Sequence, residues 1–375
     1  MGNVFIKIGV LTSSRADYGI YLPLLNAIKK DPFFQLEIIA FGSHLSKGIG
    51  YTVAAIEKDK YKCIHKITTL LSNDDEQSIA SSYGITVLKF AEFWANHKYD
   101  LVLCLGDRFE MSAAVQAGIP FQVKFAHIHG GESTLGAIDN IYRHQITIAS
   151  SIHFTSTQKY SEKVIQLLGY DKNVFAVGSL SLDGIKKIKP IKKEDFCKKF
   201  KIPNTDFVLA TFHPETVEFK NNMKFAKEMR KALSQISDKI TVVITMPNAD
   251  TLGSVFREEI INLKSDYPDK IICIENFGKE NYFSAMQHCK VIIGNSSSGI
   301  IEAASFGKYV IDVGDRQKGR ITSDNVIHVT FKSQLIVNAY NKIKTRSEYR
   351  GSNNYYKENS VQNIINNIKT IYEIL

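Results

Sequence analysis

The stretch "IIGNSSSGIIEAASFG", residues 292–307, decides how the rest of the chain reads. An apolar run stops at Gly294. Three serines and Gly299 follow, then an apolar segment with one carboxylate, Glu302. That is the pattern of a buried strand, a turn of small residues and a helix. The turn would present backbone N–H groups and hydroxyls at a helix N-terminus, whose partial positive charge suits a phosphate. Small side chains let a ligand approach the backbone. Glu302 falls a turn further on, where it would accept hydrogen bonds from a ribose diol. A diphosphate loop followed by a ribose carboxylate describes a site for a nucleoside diphosphate.

The same alternation runs through the chain. "FIKIGVLT", "QLEIIAFG", "DLVLCLGD", "VKFAHIHG" and "SIHFTST" occupy the first half, and "FVLATFHP", "ITVVITMP", "KIICIENFG", "KVIIGNSS" and "YVIDVGD" the second. Helical stretches such as "GIYLPLLNAIKK", "FEMSAAVQA" and "NNMKFAKEMRKALSQI" lie between them. Short continuous apolar runs alternating with helices predict parallel sheets covered on both faces. Two such series predict an α/β chain of two doubly wound, Rossmann-like domains facing a cleft. The seam is expected near "AVGSLSLDGIKKIKP", where a Gly/Ser turn meets a lysine-rich segment. Ligands in such folds bind beyond the carboxyl ends of the strands.

Composition narrows the class. The 375 residues favour two domains. No apolar run approaches the ~18 residues of a membrane span, and the opening "MGNVFIKIGVLTSSRADYG" does not read as a signal peptide. The five cysteines are odd in number and widely spaced, which points to reduced thiols in the cytoplasm. No Cys/His run has zinc spacing, so no metal site is expected. The net charge of +9 comes mostly from lysine without interleaved aromatics. It argues for attraction of an anionic small substrate, not for nucleic acid.

Function is expected just after each strand. Seven strand-end loops carry polar, ionisable or glycine-rich sequence: "TSSRADYG" (12–19), "GDRFE" (106–110), "HIHGGESTLGAIDNIYRH" (127–144), "FHPETVE" (212–218), "MPNAD" (246–250), the serine loop and "GDRQKGR" (314–320). Taken singly, Asp107 reads as a helix cap, His213 as a hydrogen-bonded structural histidine and Gly130–Gly131 as a turn. Their number in register with the strands argues otherwise. The dinucleotide fingerprint fails at "GIGYTV" (48–53), which lacks its third glycine, and no P-loop is present. Arg15 and Arg316 suit phosphate as bidentate donors. His213 could donate to a departing phosphate oxygen.

As a set these motifs resemble the hydrolysing UDP-N-acetylglucosamine 2-epimerases of sialic acid biosynthesis, and their relatives acting on UDP-N,N′-diacetylbacillosamine in legionaminic acid synthesis. The resemblance runs in order from about residue 7 to at least residue 320. It implies a glycosyltransferase-B type fold: an N-terminal domain over 1–182 with sugar and catalytic loops, a C-terminal domain over 183–358 for UDP, and a final helix, 359–375, packed back on the first domain. Asp107 and Asp139 match the family's catalytic carboxylates, and His213 the histidine near the leaving diphosphate. Ser296, Ser297, Gly299 and Glu302 match the phosphate and ribose contacts, and Arg316 the arginine of the following loop. Arg15 and Arg108 match binding-site arginines, with Arg108 and Asn248 taken as sugar contacts. Many members carry glutamate where this chain has His129, while Glu132 remains. The family also implies no cofactor and a homodimer or homotetramer.

The implied chemistry is elimination first. UDP leaves C1 as a base takes the C2 proton, and water then adds to the glycal while a proton returns to the other face of C2. This requires an acid and a base on different faces, and positive charge on the departing diphosphate. Asp107, His129, Glu132 and Asp139 are the candidates for proton transfer. Rival readings are a non-hydrolysing 2-epimerase, a glycosyltransferase of the same fold and a non-catalytic nucleotide-sugar sensor. Which 2-acetamido sugar is used stays open at this level.

Overall fold

Each of the ten apolar runs quoted above is a parallel strand in the structure, a computed structural model that describes residues 6–46, 51–71, 73, 75–135, 137–215, 219–247 and 253–373. The first sheet is built from β1 (Ile6–Thr12), β2 (Phe34–Phe41), β3 (Ile64–Ile67), β4 (Leu101–Leu105), β5 (Phe125–Ile128), β6 (Ile152–Thr155) and β7 (Val174–Ala176), in the order β3-β2-β1-β4-β5-β6-β7. The second comprises β8 (Phe207–Thr211), β9 (Thr241–Thr245), β10 (Ile271–Ile274), β11 (Val291–Gly294), β12 (Val310–Val313) and β13 (Val326–Val329), in the order β10-β9-β8-β11-β12-β13. Every pairing is parallel. Both sheets follow the same doubly wound permutation. The order reverses between β1 and β4 in one, and between β8 and β11 in the other. At each reversal the flanking helices diverge to opposite faces and leave a crevice at the strand ends.

Burial explains why these strands were legible. β4, β8 and β9 are buried at every position, as covering on both faces demands. Two strands escaped the sequence reading, β3 and β13, and β7 was marked only as the strand that ends in the Gly/Ser turn of the seam. All are sheet margins, three or four residues long, with exposed or half-buried positions. A margin strand needs less apolar surface, so "IHKI" and "VIHV" carry little signal.

The chain groups into two units. One holds the residues up to Glu132, Asp139–Gly184 and Tyr355 onward. The other holds Ser133–Ile138 and Ile185–Asn354. The short Ser133–Ile138 piece groups with the second unit through the N–H of Leu135, which donates to the Lys318 carbonyl at 2.9 Å. In the first unit, the helix Ser360–Glu373 buries Val361, Ile364, Ile365 and Ile368 in one apolar core with Ile8, Val10, Leu25 and Ile28. Lys369 pairs with Asp31 at 2.7 Å, and Asp183 accepts from the Val361 N–H at 3.1 Å. The opposite face of this sheet is packed by Phe90, Phe93, Trp94, Met111 and Phe125. The second unit has its own core around Val208, Phe212, Leu233, Ile244 and Ile293.

Two histidines sit side by side on adjacent strands of the first sheet. His127 of β5 is opposite His153 of β6, and both are fully buried. Burial drives both imidazoles down, His127 to about 3 and His153 to about 4. Folding therefore holds them neutral at a pH where an unfolded histidine, near 6.5, would already bind a proton. The unfolded chain gains protons first as the pH falls, so stability drops from about pH 6.5 towards pH 4, by up to about 1.4 kcal/mol per pH unit for each ring. His153→Leu is expected to flatten the fall of melting temperature across that window. An unchanged slope would show that His153 is not held neutral.

Candidate active site

The loops at the first reversal point are built before any ligand arrives. After β1, Ser14 caps the helix Arg15–Lys30 and shares a capping box with Asp17. The Asp17 carboxylate accepts from the Thr12 hydroxyl at 2.6 Å and from the Ser13 N–H and hydroxyl at 2.9 Å. Burial alone would raise this acid. Its hydrogen bonding and charge interaction with His44, and the bonds from Thr12 and Ser13, outweigh that and hold it low. Arg15 is exposed in the first helical turn.

Arg143 organises the next two loops. Its guanidinium is buried, pairs with Asp107, donates to the His129 carbonyl at 2.9 Å and lies 3.6 Å from Glu132. Asp107 follows β4, and His129 and Glu132 follow β5, so one cation joins two adjacent strand ends. Glu132 also accepts from the Ser156 hydroxyl at 2.8 Å. His129 has φ +66°, a left-handed conformation uncommon for a non-glycine residue. Its Nε2 accepts from the Leu180 N–H at 3.4 Å, which directs Nδ1 towards Glu132, 3.8 Å away. The turn is close packed: a Cβ on Gly131 would meet the Tyr160 carbonyl oxygen at 2.4 Å. Asp139 opens the helix Asp139–Ala149, one turn before Arg143 and on the same face.

His127 fixes the Asp107 loop from behind. Its Nε2–H donates to the Gly106 carbonyl at 2.8 Å, and its Nδ1 lies 3.0 Å from the Thr147 hydroxyl, which donates to the Arg143 carbonyl at 2.9 Å. Arg108 is half exposed and makes a two-point contact with Glu110, at 2.9 and 3.2 Å.

In the second unit the centre is Asn295. Its side chain closes a two-bond ring with the His213 backbone: the amide donates to the His213 carbonyl at 2.8 Å and accepts from the His213 N–H at 2.7 Å. Its own carbonyl accepts from Arg316 at 3.2 Å and Gln317 at 2.9 Å. Asn295 thus holds the loops of His213 and Arg316 together. Glu215 adds a second tie, accepting from the Asp315 N–H at 2.6 Å. The preceding Gly294 has φ +145°, and a Cβ there would lie 1.8 Å from the Thr211 carbonyl oxygen. Ser296 precedes a short helix, Ser297–Ile301, and its hydroxyl bonds that of Ser298 at 2.8 Å instead of a backbone N–H of the first turn. Gly299 lets this helix pack on β12, because a Cβ there would lie 3.0 Å from Val310. Glu302 stands just past the helix end rather than within it, because the chain tightens there into a 3₁₀ turn, Ala303–Phe306.

The first unit therefore brings Asp107, His129 and Glu132 into one network, with Asp139 a turn away and Arg15 and Arg108 on neighbouring loops. The second unit joins His213 and Arg316 through Asn295, beside the loop of Ser296, Ser297, Gly299 and Glu302. Asn248 lies outside the described residues. The residues that sequence reasoning missed are the organisers: Arg143, His127, Asn295 and Glu215. Each was visible within a quoted motif, but none carries its partner in sequence.

Over residues 26–369 the sequence matches the UDP-N-acetylglucosamine 2-epimerase family. It is 36% identical to the Campylobacter jejuni protein named GDP/UDP-N,N'-diacetylbacillosamine 2-epimerase (hydrolyzing), over 86% of this chain and 83% of that protein. It is 32% identical to the polysialic acid biosynthesis protein P7 of Escherichia coli, over 97% of this chain and 93% of the relative. The fold is similar to that of the UDP-GlcNAc 2-epimerase of Neisseria meningitidis crystallised with UDP-GlcNAc, with a TM-score of 0.81 at 17% identity, covering 97% of this chain and all of that one. Matched over most of its length and more than 30% identical to relatives across it, the chain belongs to the UDP-N-acetylglucosamine 2-epimerase family.

Proposed function

We propose that the chain is a hydrolysing UDP-sugar 2-epimerase, converting UDP-N-acetylglucosamine and water to N-acetylmannosamine and UDP for sialic acid-type sugars. The observation that carries this reading is the Arg143 network. It holds Asp107, Glu132 and His129 at adjacent strand ends, where a sugar beyond the sheet would meet them. Exchange at C2 needs a base and an acid of fixed geometry. We assign Asp107 and Asp139 to that pair, with His129 or Glu132 assisting. A buried guanidinium with three partners keeps the Asp107 loop from relaxing between the two proton transfers.

The second unit's loops serve the leaving group in this reading. His213 and Arg316, both anchored on Asn295, supply positive charge as UDP departs, and the serine loop supplies hydroxyl and N–H donors. Arg15 adds to that charge. Glu302 accepts from ribose, and Arg108 and Asn248 contact the sugar. The name of the Campylobacter relative favours a second substrate, UDP-N,N′-diacetylbacillosamine.

The same reading makes the chain a homo-oligomer. Leu88 on the helix Glu76–Asn96, with Ile141 and Ile148 on Asp139–Ala149, are exposed at 71, 57 and 62%. Apolar groups of that size invite cover by a second copy. No helix among the described residues is long and apolar enough to cross a membrane. The cysteines, none of them in a disulfide, fit the reducing cytoplasm.

Proton NMR in deuterated water with UDP-N-acetylglucosamine is expected to give UDP and N-acetylmannosamine deuterated at C2. UDP-N-acetylmannosamine as product would instead indicate a non-hydrolysing enzyme, and turnover of the diacetylbacillosamine nucleotide alone would favour the second substrate. Asp107→Asn is expected to lower kcat by about 10²–10⁴-fold with little change in KM. A kcat within threefold of wild type would remove Asp107 from proton transfer. Light scattering should return at least twice the 42.2 kDa chain mass, and a monomer at micromolar concentration would refute the oligomer.

A further inference from the structure

A second group of ligating side chains lies in the first unit, away from the strand ends just described. β2 and β3 pair with Ile38 opposite Ile64 and Ile39 opposite His65. The alternation of strands then places Glu37, Cys63 and His65 on one face of the sheet. His65 Nε2 is 3.1 Å from Glu37 Oε2 and 3.3 Å from Cys63 Sγ, and the three ligand atoms all lie within 4.8 Å of one another. Glu37 is buried, and the other two are half-buried.

These spacings are close to those of a metal site. A tetrahedral zinc ion with ordinary bond lengths holds a thiolate sulfur about 3.6 Å, and a carboxylate oxygen about 3.4 Å, from an imidazole nitrogen. The two separations from His65 need to open by only a few tenths of an ångström. The surroundings support the carboxylate as a ligand. The Tyr99 hydroxyl donates to Glu37 Oε2 at 2.8 Å, and Lys7 Nζ stands 3.0 Å from Oε1. Such outer bonds orient a metal-binding carboxylate. Lys7 also opposes a cation, but a Cys63 thiolate and Glu37 together offset the two charges of a divalent ion. The His97 ring lies 4.6 Å from that of His65, with its Nδ1 3.0 Å from the Phe93 carbonyl.

We propose that Glu37, Cys63 and His65 form a divalent transition-metal site selective for zinc over magnesium or calcium. Thiolate and imidazole donors set that preference. As the sulfur–metal bond forms, the Cys63 thiol releases its proton to solvent. The bound ion would clamp β3, a four-residue margin strand, to β2. This site is separate from the epimerase chemistry and stands or falls independently of it.

The test uses the full chain, stripped with a chelator under reducing conditions and titrated with Zn²⁺ against a chromophoric competitor, and separately with Co²⁺. One tightly held Zn²⁺ per chain and a thiolate-to-cobalt charge-transfer band are expected. Cys63→Ser should abolish the band, and His65→Asn should weaken zinc binding by about tenfold or more. Should Cys63→Ser fail to fold, His65→Asn carries the test. A cobalt spectrum with no thiolate band, or zinc affinity unchanged in these variants, overturns the proposal and moves the metal to other residues.

Discussion

The buried guanidinium of Arg143 is the interaction on which the first unit's site depends. A charge taken out of water costs several kcal/mol unless it is paired and hydrogen-bonded. Arg143 meets that requirement with Asp107, the His129 carbonyl and Glu132. The debt runs both ways, because Glu132 is as buried as its partner. Neither loop can move far without stranding a charge, so two strand ends and the helix Asp139–Ala149 are held as one piece. The left-handed backbone at His129 is tolerated within that piece.

The second unit reaches a similar end with a neutral amide at its centre and the buried Glu215 carboxylate as a second tie. Asn295 uses one neutral amide to close a ring on the His213 backbone, and its carbonyl gathers Arg316 and Gln317. On the proposed function, the different devices suit different tasks. Groups that exchange protons profit from a charged frame. Groups that meet a diphosphate bring positive charge themselves, and a neutral organiser leaves that charge for the ligand.

Much of this was legible in the sequence. Central strands announce themselves, because burial on both faces demands runs such as "LVLCL" and "TVVIT". The loops announce themselves by position, since ionisable residues directly after such runs have few structural uses. What was hidden depends on partners far apart in the chain. Arg143 sits four residues after Asp139 in the sequence, yet its ion-pair partner, Asp107, lies 36 residues away. Glu215 stands unremarked within "FHPETVE", and its partner is the Asp315 N–H, 100 residues on. Cys63 and His65 have no zinc spacing with any other cysteine or histidine, because strand pairing brings in the third donor, Glu37. Sequence spacing records ligands that share an element, and it is silent on those that a sheet assembles.

The helix Ser360–Glu373 has a consequence for how the protein is made. Its apolar side completes the core beneath β1 and the helix Arg15–Lys30. On the ribosome, that helix is synthesised after the whole of the second unit. The usual order, in which the N-terminal domain folds first during synthesis, cannot run to completion here. The second unit can close while translation continues. The first must wait with part of its core uncovered, exposed to chaperones and to aggregation, until its last helix leaves the exit tunnel.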